Sequence, residues 1–117
     1  MAYMLLVVEP QGQRSTRTDA EGRDLYDRMI RFSEELKQQG LLTISQSLKS
    51  DTGGARVRLR GDSAVITDGP FAETKEVIGG FFLLTCETRE EAIEIARRCP
   101  AAQWATVEVR ELGPCFA

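Results

Sequence analysis

The segment Tyr3–Glu9 reads YMLLVVE, and Pro10 follows it directly. Successive side chains of a β-strand point to opposite faces of the sheet. Both alternating sets of this segment are apolar: Leu5 and Val7 on one side, and Met4, Leu6 and Val8 on the other. A strand that is apolar on both faces needs cover on both. The segment therefore predicts a buried strand that is covered on both faces.

Two amphipathic helices are predicted from capping signals and apolar periodicity. The first spans about residues 19–39, because Thr18 and Glu21 form a capping-box pattern and Gly40 stands where a left-handed C-terminal cap belongs. Its apolar stripe consists of Leu25, Met29, Phe32 and Leu36. The second follows a similar pattern at Thr88 and stops at Pro100, with a stripe of Ala92, Ile93, Ala96 and Cys99.

Four further regions have the alternation or apolar character of strands. Residues 42–48 predict a half-buried strand whose inner face, Leu42, Ile44, Gln46 and Leu48, is interrupted by one polar residue. Residues 56–60 and 63–67 flank Gly61-Asp62 and predict a β-hairpin. Residues 77–84 predict a core strand, in which the pair Gly79-Gly80 indicates a bulge or a close backbone approach. Residues 106–110 predict the last strand.

The predicted order is β-α-β, a hairpin, then β-α-β. It favours an α+β fold on the ferredoxin-like split βαβ plan with an inserted hairpin, as a single domain over residues 1–117. A compact chain of this size has a radius of gyration of ~13 Å. Two helices cover only one face of the sheet, so we expect a second copy of the chain to cover the other, which gives a homodimer.

Composition excludes several classes of function. The 117 residues contain no histidine, which removes Ser-His-Asp and Cys-His catalysis and the commonest transition-metal ligand. Three cysteines without a CxxC pair predict free structural thiols, and we expect no metal and no cofactor. A net charge of −3 disfavours nucleic acid as a partner. The longest apolar run, residues 77–84, is too short to span a membrane, and without a signal-peptide pattern we expect a cytoplasmic protein.

The turn Asp68-Gly69-Pro70-Phe71 is the strongest candidate for a functional site. Gly and Pro fix the backbone there, so the Asp68 carboxylate is expected to be held rigidly at a strand end. Asp68 is the candidate catalytic acid or base. The candidate substrate-binding residues are Gly69, Pro70, Phe71, Lys75 and Glu76. The alternative is a structural turn, in which the Asp68 side chain accepts hydrogen bonds from backbone N–H groups two residues on.

The stretch from Val65 to Phe81, VITDGPFAETKEVIGGF, closely resembles the DGPF-domain type of the YCII-related family. Cys99-Pro100-Ala101-Ala102 and Val107–Arg110 add to the resemblance, which covers nearly the whole chain. It implies a dimeric α/β barrel built on the ferredoxin-like plan, and for longer members an association with sigma factors. The shorter members have a proposed catalytic His–Asp pair. This sequence has neither residue, because it lacks histidine and has Cys99 where the shorter members place the Asp.

Two classes of function remain open from the sequence. One is a small-molecule-binding protein or enzyme, with a site in the dimer cavity around Asp68 and Lys75. Phe71, Phe81 and Phe82 are its candidate walls, and Lys75, Glu76, Glu9 or a group across the dimer is the candidate partner of Asp68. The other is a non-catalytic dimeric interaction module linked to transcriptional regulation. Arg56, Arg58 and Arg60 share one strand face, which is typical of a solvated surface but also suits an anion contact.

Overall fold

The elements follow the predicted order in a computed structural model, which describes residues 2–117. They are β1 (Tyr3–Pro10), α1 (Asp19–Gln38), β2 (Leu42–Ser47), β3 (Ala55–Arg60), β4 (Ser63–Asp68), β5 (Glu76–Leu84), α2 (Arg89–Arg98) and β6 (Thr106–Glu111). Three short 3-10 turns cover Gln13–Thr16, Asp51–Gly53 and Pro100–Gln103. The Thr18 capping box is complete, and Gly40 has a φ of 72°.

The main sheet has the strand order β2-β5-β1-β6, and all three neighbouring pairs are antiparallel. The unit β1-α1-β2 leaves a gap that β5 fills, and the unit β5-α2-β6 leaves a gap that β1 fills. This interlocking is the split βαβ arrangement. The α+β class on the ferredoxin-like plan is confirmed.

The core lies between one face of this sheet and both helices. Strand β1 contributes Tyr3, Leu5 and Val7, and these side chains share their face with Phe82 and Leu84 of β5. The helices contribute Phe32, Leu36, Ala92, Ile95 and Ala96. The rings of Phe32 and Phe82 meet edge to face at a centroid distance of 5.5 Å, which is a favourable aromatic geometry.

Among residues 2–117, both helices pack on the core face, and neither covers the other face of the sheet. Met4, Leu6 and Val8 of β1 are half-buried there and pair with Leu83, Phe81 and Ile78 of β5. We call the side chains of these six residues, with Ile44, the open face. Ile78 is 50% exposed. The two apolar faces predicted for β1 are therefore present, and one is covered within the chain.

The predicted inner face of β2 is wrong. Leu42 pairs with Leu84 on the core side, but a register shift before Ile44 places Ile44 opposite Leu83 on the open side. Ile44 is consequently 45% exposed, and Gln46 lies on the same side. Ser45 faces α1 instead, with its Oγ 3.0 Å from the Oγ of Ser33. An irregularity of one residue exchanges the faces of a strand, and the sequence alternation does not reveal it.

The hairpin of β3 and β4 forms a separate two-stranded sheet. Every residue of both strands is exposed, including Val57, Leu59 and Ile66 at 67%, 70% and 64%. The radius of gyration is 16.0 Å and the extents are 46 × 42 × 19 Å. The expected ~13 Å is therefore wrong, because it assumes that all elements pack on one core.

The three cysteines are free thiols, as predicted. Cys86 and Cys99 are buried and Cys115 is exposed. Burial raises the pKa of the Cys99 thiol to about 11. No helix within residues 2–117 combines the length and the apolar character required to cross a bilayer.

Candidate functional site

Gly79 forms a bulge in β5, as its sequence context predicts. Val7 pairs with Gly80 and Val8 with Ile78, so Gly79 has no partner opposite it. A Cβ atom on Gly79 would lie 2.6 Å from Oε2 of Glu9. A Cβ atom on Gly80 would lie 2.9 Å from the backbone oxygen of Gln46. A side chain at position 80 would meet backbone, and one at position 79 would have to displace the side-chain ends of Glu9 and Arg14. The predicted close approach is confirmed.

Glu9 is the buried carboxylate of the molecule, with 6% of its surface exposed. Its Oε1 lies 2.7 Å from Nε of Arg14. The same guanidinium donates to the carbonyl oxygens of Leu48, at 2.6 Å, and Gly79, at 3.2 Å. These three contacts, which we call the Arg14 clamp, join the ends of β1 and β2 to the bulge of β5. A buried carboxylate is tolerated when it is paired and hydrogen-bonded in this way.

A cavity of about 600 Å³ lies beside the clamp, between α1 and the core face of the sheet. Its volume falls within the ~300–1,000 Å³ of typical ligand pockets. The apolar lining includes Val7, Tyr26, Met29, Phe82 and Trp104, and the polar lining includes Glu9, Arg14, Arg17, Ser33, Ser45 and Ser47. Tyr26 and Ile30, on the edge of the predicted apolar stripe of α1, are exposed and line this cavity.

Trp104 follows the 3-10 turn Pro100–Gln103 and closes one side of the cavity. It is half-buried, and its backbone oxygen accepts a hydrogen bond from Nε2 of Gln13 at 2.7 Å. The guanidinium carbons of Arg17 and Arg28 lie 6.0 and 5.9 Å from its ring centroid. The segment of Gln13, Arg14 and Arg17 therefore holds both the clamp and the aromatic wall.

The predicted site residues are not brought to this cavity. Asp68 is exposed at the end of β4, and Lys75 and Glu76 are exposed at the start of β5. None of the candidates Asp68, Gly69, Pro70, Phe71, Lys75 and Glu76 lines the cavity. Of the three predicted aromatic walls, Phe81 and Phe82 line it and Phe71 does not.

The turn Asp68–Phe71 is instead fastened by Asp51. Oδ2 of Asp51 accepts from the backbone N–H of Phe71 at 2.9 Å and from Nε2 of Gln11 at 2.7 Å. These two hydrogen bonds, Gln11 first, hold the pKa of the Asp51 carboxyl below its ordinary value. The alternative interpretation of the turn was structural, with the Asp68 side chain accepting from backbone N–H groups. The aspartate that accepts such a bond is Asp51.

Close packing fixes the same turn. The backbone N–H of Gly69 donates to the oxygen of Gly54 at 2.8 Å, and a Cβ atom on Gly69 would collide with the backbone oxygen of Asp51. The guanidinium of Arg56 lies 4.0 Å from the centroid of the Phe71 ring. Arg56 therefore contacts the turn, whereas Arg58 and Arg60 lie on the exposed hairpin surface.

The sequence pointed to Glu9 only as a candidate partner of Asp68, whereas Glu9 pairs with Arg14. Gln11, Arg14 and Asp51 were not singled out at all. Glu9 carried a usable signal, because it occupies the same alternating positions as Leu5 and Val7 and so points into the core. Gln11, Arg14 and Asp51 lie in polar loops, where neither spacing nor alternation distinguishes a clamp residue from a solvated one.

The fold and the cavity define a small α+β domain of the ferredoxin-like plan with a pocket on its helix-covered side. The chain belongs to the YCII-related family, whose domain matches residues 1–115. An uncharacterized protein of Rhizobium meliloti (strain 1021) is 30% identical over 97% of this chain and 93% of that protein.

A solved structure with a similar fold is the 5-chloro-2-hydroxyhydroquinone dehydrochlorinase TftG of Burkholderia phenoliruptrix AC1100, in complex with 2,5-dihydroxybenzoquinone. The TM-score is 0.54 at 15% identity, and the alignment covers 97% of this chain and 94% of TftG. At this identity the likeness establishes the shared fold.

We predict that Asp51→Ala lowers the melting temperature at neutral pH, whereas Asp68→Ala leaves it nearly unchanged. Asp51 accepts two hydrogen bonds, whereas the Asp68 side chain forms none with the other residues from 2 to 117. Because folding lowers the pKa of Asp51, its contribution is present above the ordinary aspartate pKa and is lost as the pH falls through the lowered value.

Thermal unfolding of the wild type and both variants across the acid range is the measurement. The difference in melting temperature between the wild type and Asp51→Ala should become smaller as the pH falls. If Asp68→Ala lowered the melting temperature more than Asp51→Ala, the assignment of Asp51 as the residue that holds the turn would be contradicted.

We predict that Glu9→Gln reduces the free energy of unfolding by about 1–3 kcal/mol, because it removes the carboxylate partner of a charged hydrogen bond. The side chain of Arg14 is 35% exposed, and water therefore limits the loss. The matched control is Glu108→Gln, which removes the exposed pair with Arg110 and should change stability little. Urea denaturation of both variants gives the free energies of unfolding. Equal losses for Glu9→Gln and Glu108→Gln would argue against a stabilising role of the Arg14 clamp.

Proposed function

We propose that this YCII-related protein binds a small organic molecule in the cavity beside the Arg14 clamp. The observation that carries the proposal is the cavity itself, which combines aromatic and aliphatic walls with charged and hydroxyl side chains. That combination is typical of small-molecule sites. The dehydrochlorinase TftG, which shares the fold, acts on a small ring compound, and this is in keeping with a small-molecule ligand here.

The geometry supports binding at the cavity more directly than acid–base chemistry at Asp68. Asp68 is exposed and lies outside the cavity lining. Within the lining, the Glu9 carboxylate is held by Arg14. Acid–base catalysis by Asp68 and a cytoplasmic location both stay predictions.

A homodimer packed through the open face is the second part of the proposal. The open face exposes apolar side chains from three strands, including Ile44 and Ile78, and burial of such surface drives association. A dimeric α/β barrel would cover the face that the two helices leave bare.

A second candidate function rests on the hairpin. Its face with Val57, Leu59 and Ile66 is apolar and exposed, and exposed apolar patches often mark protein interfaces. This favours the interaction module linked to transcriptional regulation. A chain that binds no small molecule in its cavity would leave this candidate as the stronger one.

Titration with the neutral fluorescent probe N-phenyl-naphthylamine tests the cavity. We expect the wild type to bind it, and Ser47→Trp to weaken binding about tenfold or more, because Ser47 is exposed at the cavity edge and an indole there obstructs the opening. The matched control is Thr43→Trp, on the same strand but outside the lining, which should bind as the wild type does. Equal binding by all three proteins would refute the cavity as the site.

Light scattering of the eluting protein in size-exclusion chromatography tests the dimer. We expect a dimer for the wild type and a monomer for Leu6→Glu, because a carboxylate at the centre of the open face opposes burial. Leu59→Glu on the hairpin is the control and should remain dimeric. A monomeric wild type, or a dimer lost only in Leu59→Glu, would overturn packing through the sheet.

A further inference from the structure

We propose that the ligand of the cavity is a small aromatic anion whose negative charge is bound by Arg17 and Arg23. This inference rests on the proposed binding function and adds the chemical class of the ligand. Three observations support it: the charged residues that line the cavity, the ion pairs that some of these residues form within the chain, and the aromatic side chains beside them.

The charged lining has an excess of cations. Three arginines, Arg14, Arg17 and Arg23, face two acids, Glu9 and Asp19. The whole chain, in contrast, has a net charge of −3. The lining therefore carries one net positive charge on a protein that is acidic as a whole, and this favours an anionic ligand over a cationic one.

The contacts show which of these charges are free. Each nitrogen of the Arg14 guanidinium already has a partner: Glu9 for Nε, and the carbonyl oxygens of Leu48 and Gly79 for the other two. Arg17 and Arg23 form no ion pair with any other residue between 2 and 117. Asp19 lies in the first turn of the twenty-residue helix α1, where the helix dipole stabilises a carboxylate. No carboxylate among residues 2–117 therefore lies within ion-pair distance of either the Arg17 or the Arg23 guanidinium.

The neighbouring walls favour an aromatic ligand. Arg17 is half-buried, and its guanidinium carbon lies 6.0 Å from the centroid of Trp104. A guanidinium held beside an indole presents its N–H groups to an anion while the indole offers a flat apolar surface. Tyr26 and Phe82 add further aromatic surface, and the hydroxyls of Ser45 and Ser47 supply neutral hydrogen-bonding groups. A ring that carries a carboxylate, sulfonate or phenolate group matches this arrangement.

Two fluorescent probes that differ by one anionic group test the inference. Anilinonaphthalene sulfonate has the rings of N-phenyl-naphthylamine plus a sulfonate. At low ionic strength we expect the wild type to bind the sulfonate probe the more tightly. The double variant Arg17→Gln/Arg23→Gln should weaken binding of the sulfonate probe by about fivefold or more, because charged hydrogen bonds are lost. Binding of the neutral probe should change by less than about twofold.

The controls separate charge from location and from packing. Arg58→Gln/Arg60→Gln removes the same charge from the hairpin and should leave both probes unaffected. Arg17→Lys keeps the charge and should keep most of the preference for the sulfonate probe. Ser47→Trp should weaken both probes, because they share the cavity.

The outcomes distinguish this inference from the function on which it rests. If the neutral probe binds the cavity but the sulfonate probe is not preferred, or the preference survives Arg17→Gln/Arg23→Gln, the anion inference is overturned and the binding cavity stands. If Ser47→Trp weakens neither probe, the proposed function fails and this inference fails with it.

Discussion

The contact between Glu9 and Arg14 is the constraint on which the rest of the structure depends. A buried carboxylate at the end of the central strand requires a cation, and Arg14 supplies it from the 3-10 turn that follows β1. The other two nitrogens of the Arg14 guanidinium donate to the carbonyl oxygens of Leu48 and Gly79. The Glu9 carboxylate lies where the side chain of a larger residue at position 79 would begin. The clamp thus joins the bulge of β5 to the charged part of the cavity lining.

The segment that contains Arg14 also holds the turn at the base of the hairpin and the loop that carries Trp104. Gln11 reaches Asp51 and Phe71 and so fixes the turn at the base of the hairpin. Gln13 reaches the backbone of Trp104 and so fixes the aromatic wall. Residues 11–14 therefore position the cavity on one side and the hairpin on the other. The turn Asp68–Phe71 is held by this segment but does not line the cavity.

The elements of the fold were predictable because their signals are local and repeated. Capping at Thr18, the stop at Gly40 and the alternation of β3 and β4 each define an element without reference to the rest of the chain. The exchanged faces of β2 were not predictable, because they follow from one register shift before Ile44. The site was partly predictable. The glycine pair forms the predicted bulge and close approach. The cavity, however, does not coincide with the site predicted around Asp68. Arg14, Gln11 and Asp51 act through contacts between residues far apart in sequence, and such contacts leave no periodic pattern.

The hairpin of β3 and β4 is connected to the rest of the molecule by a small set of contacts at its base. Its hydrogen-bond ladder is not continuous with the main sheet, and it is fastened through Asp51, Gly54 and the turn at Gly69 and Phe71. Its tip, at Gly61, lies at the far end of both strands. A change in the length of the hairpin at its tip therefore leaves these contacts at its base in place. Gln11 lies outside the hairpin in sequence and yet forms part of its attachment, so a hairpin moved without Gln11 would lose one of its anchors.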